Sequence, residues 1–532
     1  MIARQSLLMV STQMFVRFLG WIGLVVLAKL WGGFAPEATG VIGFAMAFLG
    51  IFNIISSLGF NEAHVKKISE GQDLGRCIGT FITIKVVLNI IMVASIFLFI
   101  FLWKNFFGGG FIDATTESVV YVFILYYVVL NLQCIPRFTF QGTQEIAKRQ
   151  LAVIFEGLVK SPLEILVALA GVSITGVAVA PAFGWPDILE PLRFYLAQHP
   201  QGALAMTYVF GAAGPLLIGI LLIRKYPLKM PTKQSMKSYT LFALPLSIIS
   251  IMGIITINID KVMIGYFWTS SEVGYYFTIQ QILQLLTIVF QSVGMALFPS
   301  FSKHHSQKNF TKIKTTALLG ERYLSMIMIP PIVVLIVYSA PVISIMLSNS
   351  FLPAVTTLSI LALMNYFRAQ NNYLRSLITG INSPRTLLLT SLATVVSNVF
   401  LNLILIPENG LLSSFGINGA SGASIATLAS TALCFFYMKY FAKKLISIPV
   451  FQKEYLLHVT AGIIMGAFLL FLNQFIDVYP WYVIFVMSIL GLGVYLAVLN
   501  LLKEFDKDDF NFFTDVFNLK RMIGYIKSDF KK

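Results

Sequence analysis

The sequence predicts an all-α polytopic membrane protein of about fourteen transmembrane helices. Of its 532 residues, 57% are hydrophobic and only 11% are charged, whereas a soluble domain usually carries about 25% charged residues. The apolar residues are collected into runs of roughly the 20 residues that a helix needs to cross a bilayer. The basic residues are concentrated in the segments between those runs. These three observations exclude an ordinary soluble domain.

The apolar runs define the predicted spans in order along the chain. They cover residues 7–30, 39–60, 77–103, 118–142, 151–172, 202–223, 239–266, 275–298, 317–346, 354–379, 386–406, 419–441, 455–475 and 481–502. The first run is too long for the core of a cleaved signal peptide and lacks a clean cleavage site, so we expect a retained helix. Pro330 and Pro331 interrupt the ninth run, and we expect a kink there because each proline removes a backbone hydrogen bond.

Lysine and arginine are distributed unequally between the two sides of the predicted membrane. If the N-terminus is cytoplasmic, the outside loops hold few basic residues beyond Lys104 and Arg193. This asymmetry follows the positive-inside rule. We therefore predict a multi-pass protein of the cytoplasmic membrane with both termini in the cytoplasm. The net charge of +15 then reflects topology, and no nucleic-acid partner is expected.

Short patterns recur in the two halves of the chain. Gly40 opens one apolar run and Gly274 opens its counterpart, and Arg137 and Arg375 each lie five residues before a glycine. Such internal repetition is typical of transporters. We predict two six-helix lobes related by a pseudo-two-fold axis, two additional transmembrane helices and a cytoplasmic basic amphipathic tail. These domains cover residues 1–230, 231–447, 448–502 and 503–532.

The last segment differs in kind from the spans. Between residues 510 and 530, phenylalanine and isoleucine fall roughly on one helical face among several lysines. This pattern indicates an amphipathic helix on an anionic membrane surface. A partly ordered basic tail is the alternative.

Basic residues inside the spans are the candidates for substrate binding. Each charge at mid-bilayer depth costs about 2.5–3.5 kcal/mol on insertion scales, so several of them indicate a shared water-filled cavity that suits an anion. The candidates are Arg17, Lys85, Arg137, Lys160, Arg368 and Arg375. Arg137 and Arg375 are close enough to the cytoplasm to extend to the interface instead, as we expect for Lys29 and Arg322. The most central positions are Arg17, Lys160 and Arg368.

A second set of polar residues inside the spans is predicted to act in gating or ion coupling. It consists of Glu156, Glu164, Asp260, Lys261, Asn398 and Asn402. Glu156 and Glu164 lie four residues on either side of Lys160, so one helical face holds a Glu-Lys-Glu cluster that could instead serve packing.

The remaining members of this set leave their roles open. The side chains of adjacent Asp260 and Lys261 diverge on a helix, so these residues should not pair with each other. Asn398 and Asn402 share a face, and they either join helices by hydrogen bonds or line the cavity.

The sequence contains none of the common catalytic motifs that we sought. It has no GxxxxGK[ST] loop, no HExxH pair and no GxSxG elbow. Cys77, Cys134 and Cys434 are too few and too scattered for a disulfide framework. We therefore expect neither an enzyme nor a metal site.

An ordered series of short motifs runs from the first predicted span to the twelfth. It comprises Ala28-Lys29-Leu30 with Gly40, Leu244-Pro245, Asp260-Lys261, Ile264-Gly265, Gly274-Tyr275-Tyr276, Phe298-Pro299-Ser300, Ser397-Asn398 with Asn402, Ile406-Pro407, Gly416-Ile417-Asn418-Gly419-Ala420 and Gly422-Ala423-Ser424-Ile425-Ala426-Thr427. In order and spacing the series resembles the polysaccharide-transport (O-antigen type) flippases of the multidrug/oligosaccharidyl-lipid/polysaccharide exporter superfamily. The resemblance covers residues 1 to about 445. It departs from the family at Ser348-Asn349-Ser350, where a glycine is common, and in a longer segment at 181–201.

The resemblance implies two lobes that rock between inward-open and outward-open states. The substrate would be an oligosaccharide linked to polyprenyl phosphate or diphosphate, moved to the outer leaflet among membrane lipids. Implied partners are a polysaccharide polymerase and glycosyltransferases. No cofactor is implied beyond a sodium or proton gradient, for which Asp260, Glu156 or Glu164 would be the coupling carboxylate.

Two other functions within the same superfamily stay open on the sequence. A multidrug/cation antiporter would need acidic and aromatic residues in its cavity, whereas cations outnumber acids in these spans. A peptidoglycan-precursor lipid flippase would share the cationic cavity. A membrane scaffold would leave the mid-span cations unexplained.

Overall fold

The computed structural model describes residues 2–174, 177–478, 480–505 and 509, and this part of the chain is almost entirely helical. The predicted tail helix at 510–530 lies outside the described residues. Fourteen of the described helices have at least 18 residues, and they follow the order of the predicted spans. They are α1 Ile2–Trp31, α2 Ala35–Phe52, α5 Leu74–Asn105, α6 Ala114–Gly142, α7 Ile146–Leu169, α9 Pro200–Ile223, α10 Lys233–Phe267, α11 Ser270–Ser306, α12 Phe310–Val337, α14 Val355–Gly380, α15 Pro384–Leu405, α16 Gly419–Ile446, α17 Lys453–Leu472 and α18 Trp481–Leu501.

The short elements lie between these helices. They are α3 Ile54–Ser57, α4 Phe60–Ser69, α8 Glu190–Gln198, α13 Ser339–Met346 and an antiparallel hairpin of β1 Val172–Ile174 and β2 Val177–Ala180. The hairpin and α8 occupy the long segment before α9, which the sequence did not predict to be structured.

The chain is a multi-pass membrane protein. Eleven segments of the described chain are long and apolar enough to cross a membrane, and the first of them, Ser11–Phe52, takes in both α1 and α2. Two of the long helices, α7 and α11, are not among them, and the central part of α7 carries Glu156, Lys160 and Glu164. The all-α polytopic fold is therefore confirmed.

Two predicted spans are broken at places that the sequence did not indicate. α2 stops at Phe52, and the left-handed backbone of Leu58 and Gly59, with φ of 26° and 73°, turns the chain into α4. In the ninth span, α12 continues through Pro330 and Pro331 and ends instead at Val337, next to Tyr338. The prolines are accommodated inside the helix, and the kink expected at them stays a prediction.

The two halves meet where α2 packs on α11 through a reciprocal pair of glycines. A Cβ atom on Gly40 would lie 1.7 Å from the carbonyl oxygen of Ser270, and one on Gly274 would lie 1.8 Å from that of Pro36. The same offset in sequence relates Gly40 to Gly274 and Pro36 to Ser270. The backbones can approach so closely only because both residues lack a side chain. We call this contact the glycine end of the interface.

Contacts within each half repeat with the same offset. Asn131 donates a hydrogen bond to Asn53 over 2.7 Å, and its counterpart Asn365 accepts one from Thr287 over 3.1 Å. The helix pairs α6–α9 and α7–α9 of the first half correspond to α14–α16 and α15–α16 of the second. This equivalence supports a duplicated architecture, while the domain boundaries themselves stay predictions.

The halves also meet at the linker between α9 and α10, which packs on the start of α5. Lys229 forms an ion pair with Asp73 at 2.6 Å, and a Cβ atom on Gly79 would lie 1.9 Å from the Lys229 carbonyl oxygen. Nearby, Tyr239 of α10 lies 3.0 Å from Nδ1 of buried His64. We call this region the linker end.

Two adjacent charged residues of α12, Glu321 and Arg322, hold α17 and the segment that follows α18. Glu321 is fully buried and accepts hydrogen bonds from Lys439 at 2.6 Å, Tyr455 at 2.8 Å and Gln452 at 2.5 Å. Its neighbour Arg322 was expected to extend to the membrane interface. Arg322 instead forms ion pairs with Glu504 at 2.6 Å and Asp509 at 2.7 Å, beyond the end of α18.

Candidate transport cavity

Two cavities lie between the halves and share Arg17 and Gln284 as lining residues. Chamber N, of about 180 Å³, is lined mainly by α1, α7, α9 and α11. Chamber C, of about 420 Å³, is lined mainly by α10, α11, α14 and α16. The Arg17 guanidinium donates a hydrogen bond to the Gln284 side chain. This contact therefore joins α1 to α11 at the boundary between the chambers.

Chamber C has an excess of positive charge. It is lined by Arg17, Arg368 and Arg375, and Asp260 is its one acidic lining residue. Among the described residues, no carboxylate lies within ion-pair distance of Arg368 or Arg375. The guanidinium groups of α14 therefore keep their donors available for an anion.

Asp260 is held by donors from three other helices. Its carboxylate accepts hydrogen bonds from Tyr276 at 2.5 Å, Thr427 at 2.8 Å and Asn402 at 2.7 Å. Asn398 contacts both Thr427 and Asn402. The two asparagines are fully buried, so in this conformation they join helices and support Asp260 and do not form the cavity wall.

Chamber N combines balanced charges with aromatic and amide groups. Lys160 forms an ion pair with Glu164 at 3.1 Å and lies 3.8 Å from the centre of the Tyr208 ring. Glu156 also lines the chamber, one turn away on α7. With Arg17, the lining holds two basic and two acidic residues. The predicted Glu-Lys-Glu cluster thus lies at a cavity, where Glu164 neutralises Lys160.

Several polar atoms around chamber N have no hydrogen-bond partner within the described part of the chain. They are Nε1 of Trp21, Oγ of Ser161 and Oε2 of Glu164. Glu164 itself is only 6% exposed. Buried polar atoms usually have hydrogen-bond partners, so the polar atoms on this wall are able to bind a ligand in the chamber.

Five of the predicted residues are absent from the linings of both chambers, namely Lys85, Arg137, Lys261, Asn398 and Asn402. Lys85 is fully buried and donates a hydrogen bond to the Ser56 carbonyl oxygen over 2.7 Å. Arg137 lies 6.0 Å from the Phe138 ring centre. Lys261 points away from Asp260, as expected, and donates to Gln280 over 3.2 Å and to the Ile257 carbonyl. Lys85 and Arg137 line neither chamber in this structure, and their part in substrate binding stays a prediction.

The sequence did not single out several lining residues. Trp21, Tyr208 and Gln281 of chamber N and Gln280 and Gln284 of α11 were missed. The chain has 46 phenylalanines and 21 tyrosines, so aromatic residues carry no signal of their own. The glutamines of α11 could have been found, because uncharged polar residues cluster there within an apolar run.

Two family models, each described as a polysaccharide biosynthesis protein, match residues 2–184 and 194–356 and so cover most of the chain between them. Both parts of the chain thus match models of polysaccharide biosynthesis proteins, which agrees with its resemblance to the polysaccharide-transport branch of the multidrug/oligosaccharidyl-lipid/polysaccharide exporter superfamily. Among its relatives, a probable low-salt glycan biosynthesis flippase of Haloferax volcanii is 23% identical over 93% of this chain and 95% of the relative. An uncharacterised membrane protein of Methanocaldococcus jannaschii is 23% identical over 45% of each chain.

Solved structures of the superfamily share the fold. The lipid II flippase MurJ in an inward closed conformation superimposes with a TM-score of 0.70 at 17% identity, over 92% of this chain and 97% of that structure. An inward-facing multidrug transporter of the same superfamily gives a TM-score of 0.59 at 14% identity, over 81% and 98% of the two chains. At such identities the likeness concerns the fold alone.

Proposed function

We propose that the protein is a flippase that moves an oligosaccharide linked to polyprenyl phosphate or diphosphate across the cytoplasmic membrane. The observation that carries the proposal is chamber C, where Arg368 and Arg375 face a cavity between the halves without a carboxylate partner among the described residues. A cation antiporter would need an excess of acidic groups there. Three arginines against one aspartate favour an anionic substrate.

Alternating access suits such a substrate on physical grounds. The sugar and phosphate cannot cross hydrocarbon, because desolvating their polar groups is costly. The polyprenyl tail can stay in the lipid throughout, so the cavity shelters only the headgroup. With an inside-negative potential, outward movement is favoured by about 2.3 kcal/mol per charge per 100 mV. The enzymes that build and polymerise the glycan are the expected partners.

The linker end is assigned to the cytoplasm in this proposal. It contains Lys225, Lys229, Lys233 and Lys237, which follow the positive-inside rule. Both termini then lie on the same side, and the glycine end faces outward.

Coupling to an ion gradient is assigned to Asp260. Its carboxylate lies beside the Thr427 hydroxyl and the Asn402 amide, and Asn398 contacts both. A bound sodium ion would need the amide oxygens to turn toward it, since hard cations prefer oxygen ligands. A proton on Asp260 would serve the same purpose. We expect Asp260→Asn to abolish the dependence of transport on a sodium or proton gradient in liposomes, and an unchanged dependence would contradict this assignment.

The flippase proposal is tested by transport of a fluorescent polyprenyl diphosphate-linked oligosaccharide in liposomes. Replacing Arg368 and Arg375 by glutamine removes charge-assisted hydrogen bonds, so we expect translocation to fall by about tenfold or more. The matched control is Arg193→Gln on α8, which removes a surface arginine paired with Glu190. Translocation at the wild-type rate in the double variant, or none in the wild type for any lipid-linked glycan, would overturn the proposal.

A further inference from the structure

We propose that the two chambers divide the headgroup of the substrate, with the phosphate groups in chamber C and the sugar next to them in chamber N. This inference rests on the proposed function and adds to it the orientation in which the headgroup binds. The residues that line the two chambers differ in their charges. Chamber C holds three arginines and one aspartate, whereas chamber N holds two basic and two acidic residues.

The arginines of α14 in chamber C are available to bind an anion, because the carboxylate of this chamber has other partners. The Asp260 carboxylate is occupied by Tyr276, Asn402 and Thr427 and does not neutralise α14 by direct contact. Arg368 and Arg375 lie seven residues, or two helical turns, apart on one face of α14. Guanidinium groups bind phosphate oxygens through two parallel hydrogen bonds. Both residues line chamber C, so both can contribute donors to a phosphate group bound there.

Chamber N is unsuited to a phosphate but suited to a sugar. Its central cation, Lys160, is already occupied by Glu164 and by the Tyr208 ring. The free groups on its wall are a donor, Nε1 of Trp21, an acceptor, Oε2 of Glu164, and the Ser161 hydroxyl, which can do either. A sugar ring presents hydroxyls that both donate and accept, so it can satisfy all three.

The boundary between the chambers is consistent with this division. In a glycosyl phosphate the sugar and the phosphorus are joined through a single oxygen atom. The two chambers must then adjoin, and they do so at Arg17 and Gln284. Arg17 lies where the bridging oxygen would pass.

The test compares two probes on the whole protein in nanodiscs. One probe is a short polyprenyl diphosphate, and the other carries one sugar on its terminal phosphate. We expect Arg368→Gln with Arg375→Gln to weaken the dissociation constant of both probes about tenfold. We expect Trp21→Phe with Ser161→Ala to weaken only the glycosylated probe, also about tenfold, because each change removes a group that would hydrogen-bond the sugar. Arg193→Gln is the control for both.

The outcomes separate this inference from the proposed function. If the Trp21 and Ser161 variant weakens both probes alike, or neither, the division of the headgroup is overturned even when transport is intact. If the chamber variants show the expected selectivity but the wild type moves no lipid-linked glycan in liposomes, the division stands and the flippase function fails. Circular dichroism and thermal unfolding of each variant confirm that it is folded.

Discussion

Charged residues inside the helices fall into two kinds, and the difference lies in their neighbours. Lys439 and Glu321 are fully buried and neutralise each other, so they join α16 to α12, and Glu321 also accepts a hydrogen bond from Tyr455 of α17. Arg368, in contrast, faces a cavity without a carboxylate partner among the described residues. Membrane depth alone does not distinguish the two kinds, since both lie within long apolar helices.

The buried pair gives a prediction for stability. Glu321→Gln leaves the Lys439 ammonium buried without a carboxylate, and breaking such a pair typically costs about 3–5 kcal/mol. We expect a clear fall in the thermal unfolding midpoint, measured in detergent. Glu408→Gln, at an exposed loop position, is the control and should melt like the wild type.

A double variant separates the charge from the packing. Replacing Glu321 and Lys439 together by leucine removes both charges, so it should recover much of the stability that Glu321→Gln loses. If Glu321→Gln melts like the wild type, the pair does not hold α17 in place.

At the scale of elements, the contact between α2 and α11 depends on two positions that cannot accept a side chain. Gly274→Ala places a Cβ atom where the Pro36 carbonyl lies 1.8 Å away, so the helices must separate, at a cost of about 1–3 kcal/mol for overpacking. We expect a lower unfolding midpoint and slower transport. Gly493→Ala in α18 has open space around it and should be neutral or slightly stabilising. Equal effects of the two alanines would contradict this account.

The linker end gives a prediction for pH. The Lys229 ammonium, with the Arg76 amide, holds the pKa of Asp73 below its ordinary value. A lowered pKa means that the contact is fully present above about pH 4, the value of a free aspartate, and is lost as the pH falls through the lowered pKa. The linker contact should therefore be intact at neutral pH and loosen only in acid.

Asp73→Asn isolates the charge, because asparagine still caps the start of α5. We expect the difference in unfolding midpoint between pH 7 and about pH 2, below the lowered pKa of Asp73, to be smaller in this variant than in the wild type. Asp187→Asn, at an exposed position before α8, serves as the control. An unchanged difference in Asp73→Asn would exclude the ion pair as the source.

At the scale of the whole molecule, the proposed topology can be tested by labelling. In a variant without the three native cysteines, Gly110→Cys between α5 and α6 should react with an impermeant maleimide in intact cells. Gln307→Cys between α11 and α12 should react only after the membrane is permeabilised. Both positions are exposed. The reverse pattern would place the termini outside and would contradict the orientation proposed here.

The positions of the long helices could be predicted from the sequence, because each helix contains an apolar run of sufficient length. The points at which helices end within a predicted span could not. Pro330 and Pro331 are strong signals but are accommodated inside α12, while the break at Tyr338 has no comparable signal. The hairpin before α9 was missed because its two strands have only three and four residues, and their apolar side chains resemble the end of the preceding apolar run.

For the cavity, charge within an apolar run was a good guide but an incomplete one. It found Arg17, Lys160, Arg368 and Arg375, which do line the chambers. It also selected Lys85, whose partner is a backbone carbonyl on the neighbouring short helix. Which way a side chain faces depends on the packing of helices far apart in sequence, and a single sequence does not contain that information.

The two ends of the interface between the halves should respond differently to ionic strength. The glycine end is held by backbone packing, which dissolved ions do not weaken. The linker end includes the solvent-exposed pair of Asp73 and Lys229, and salt screens such charges over about 8 Å at physiological concentration. We therefore expect a higher salt concentration to weaken the linker end and to leave the glycine end unchanged.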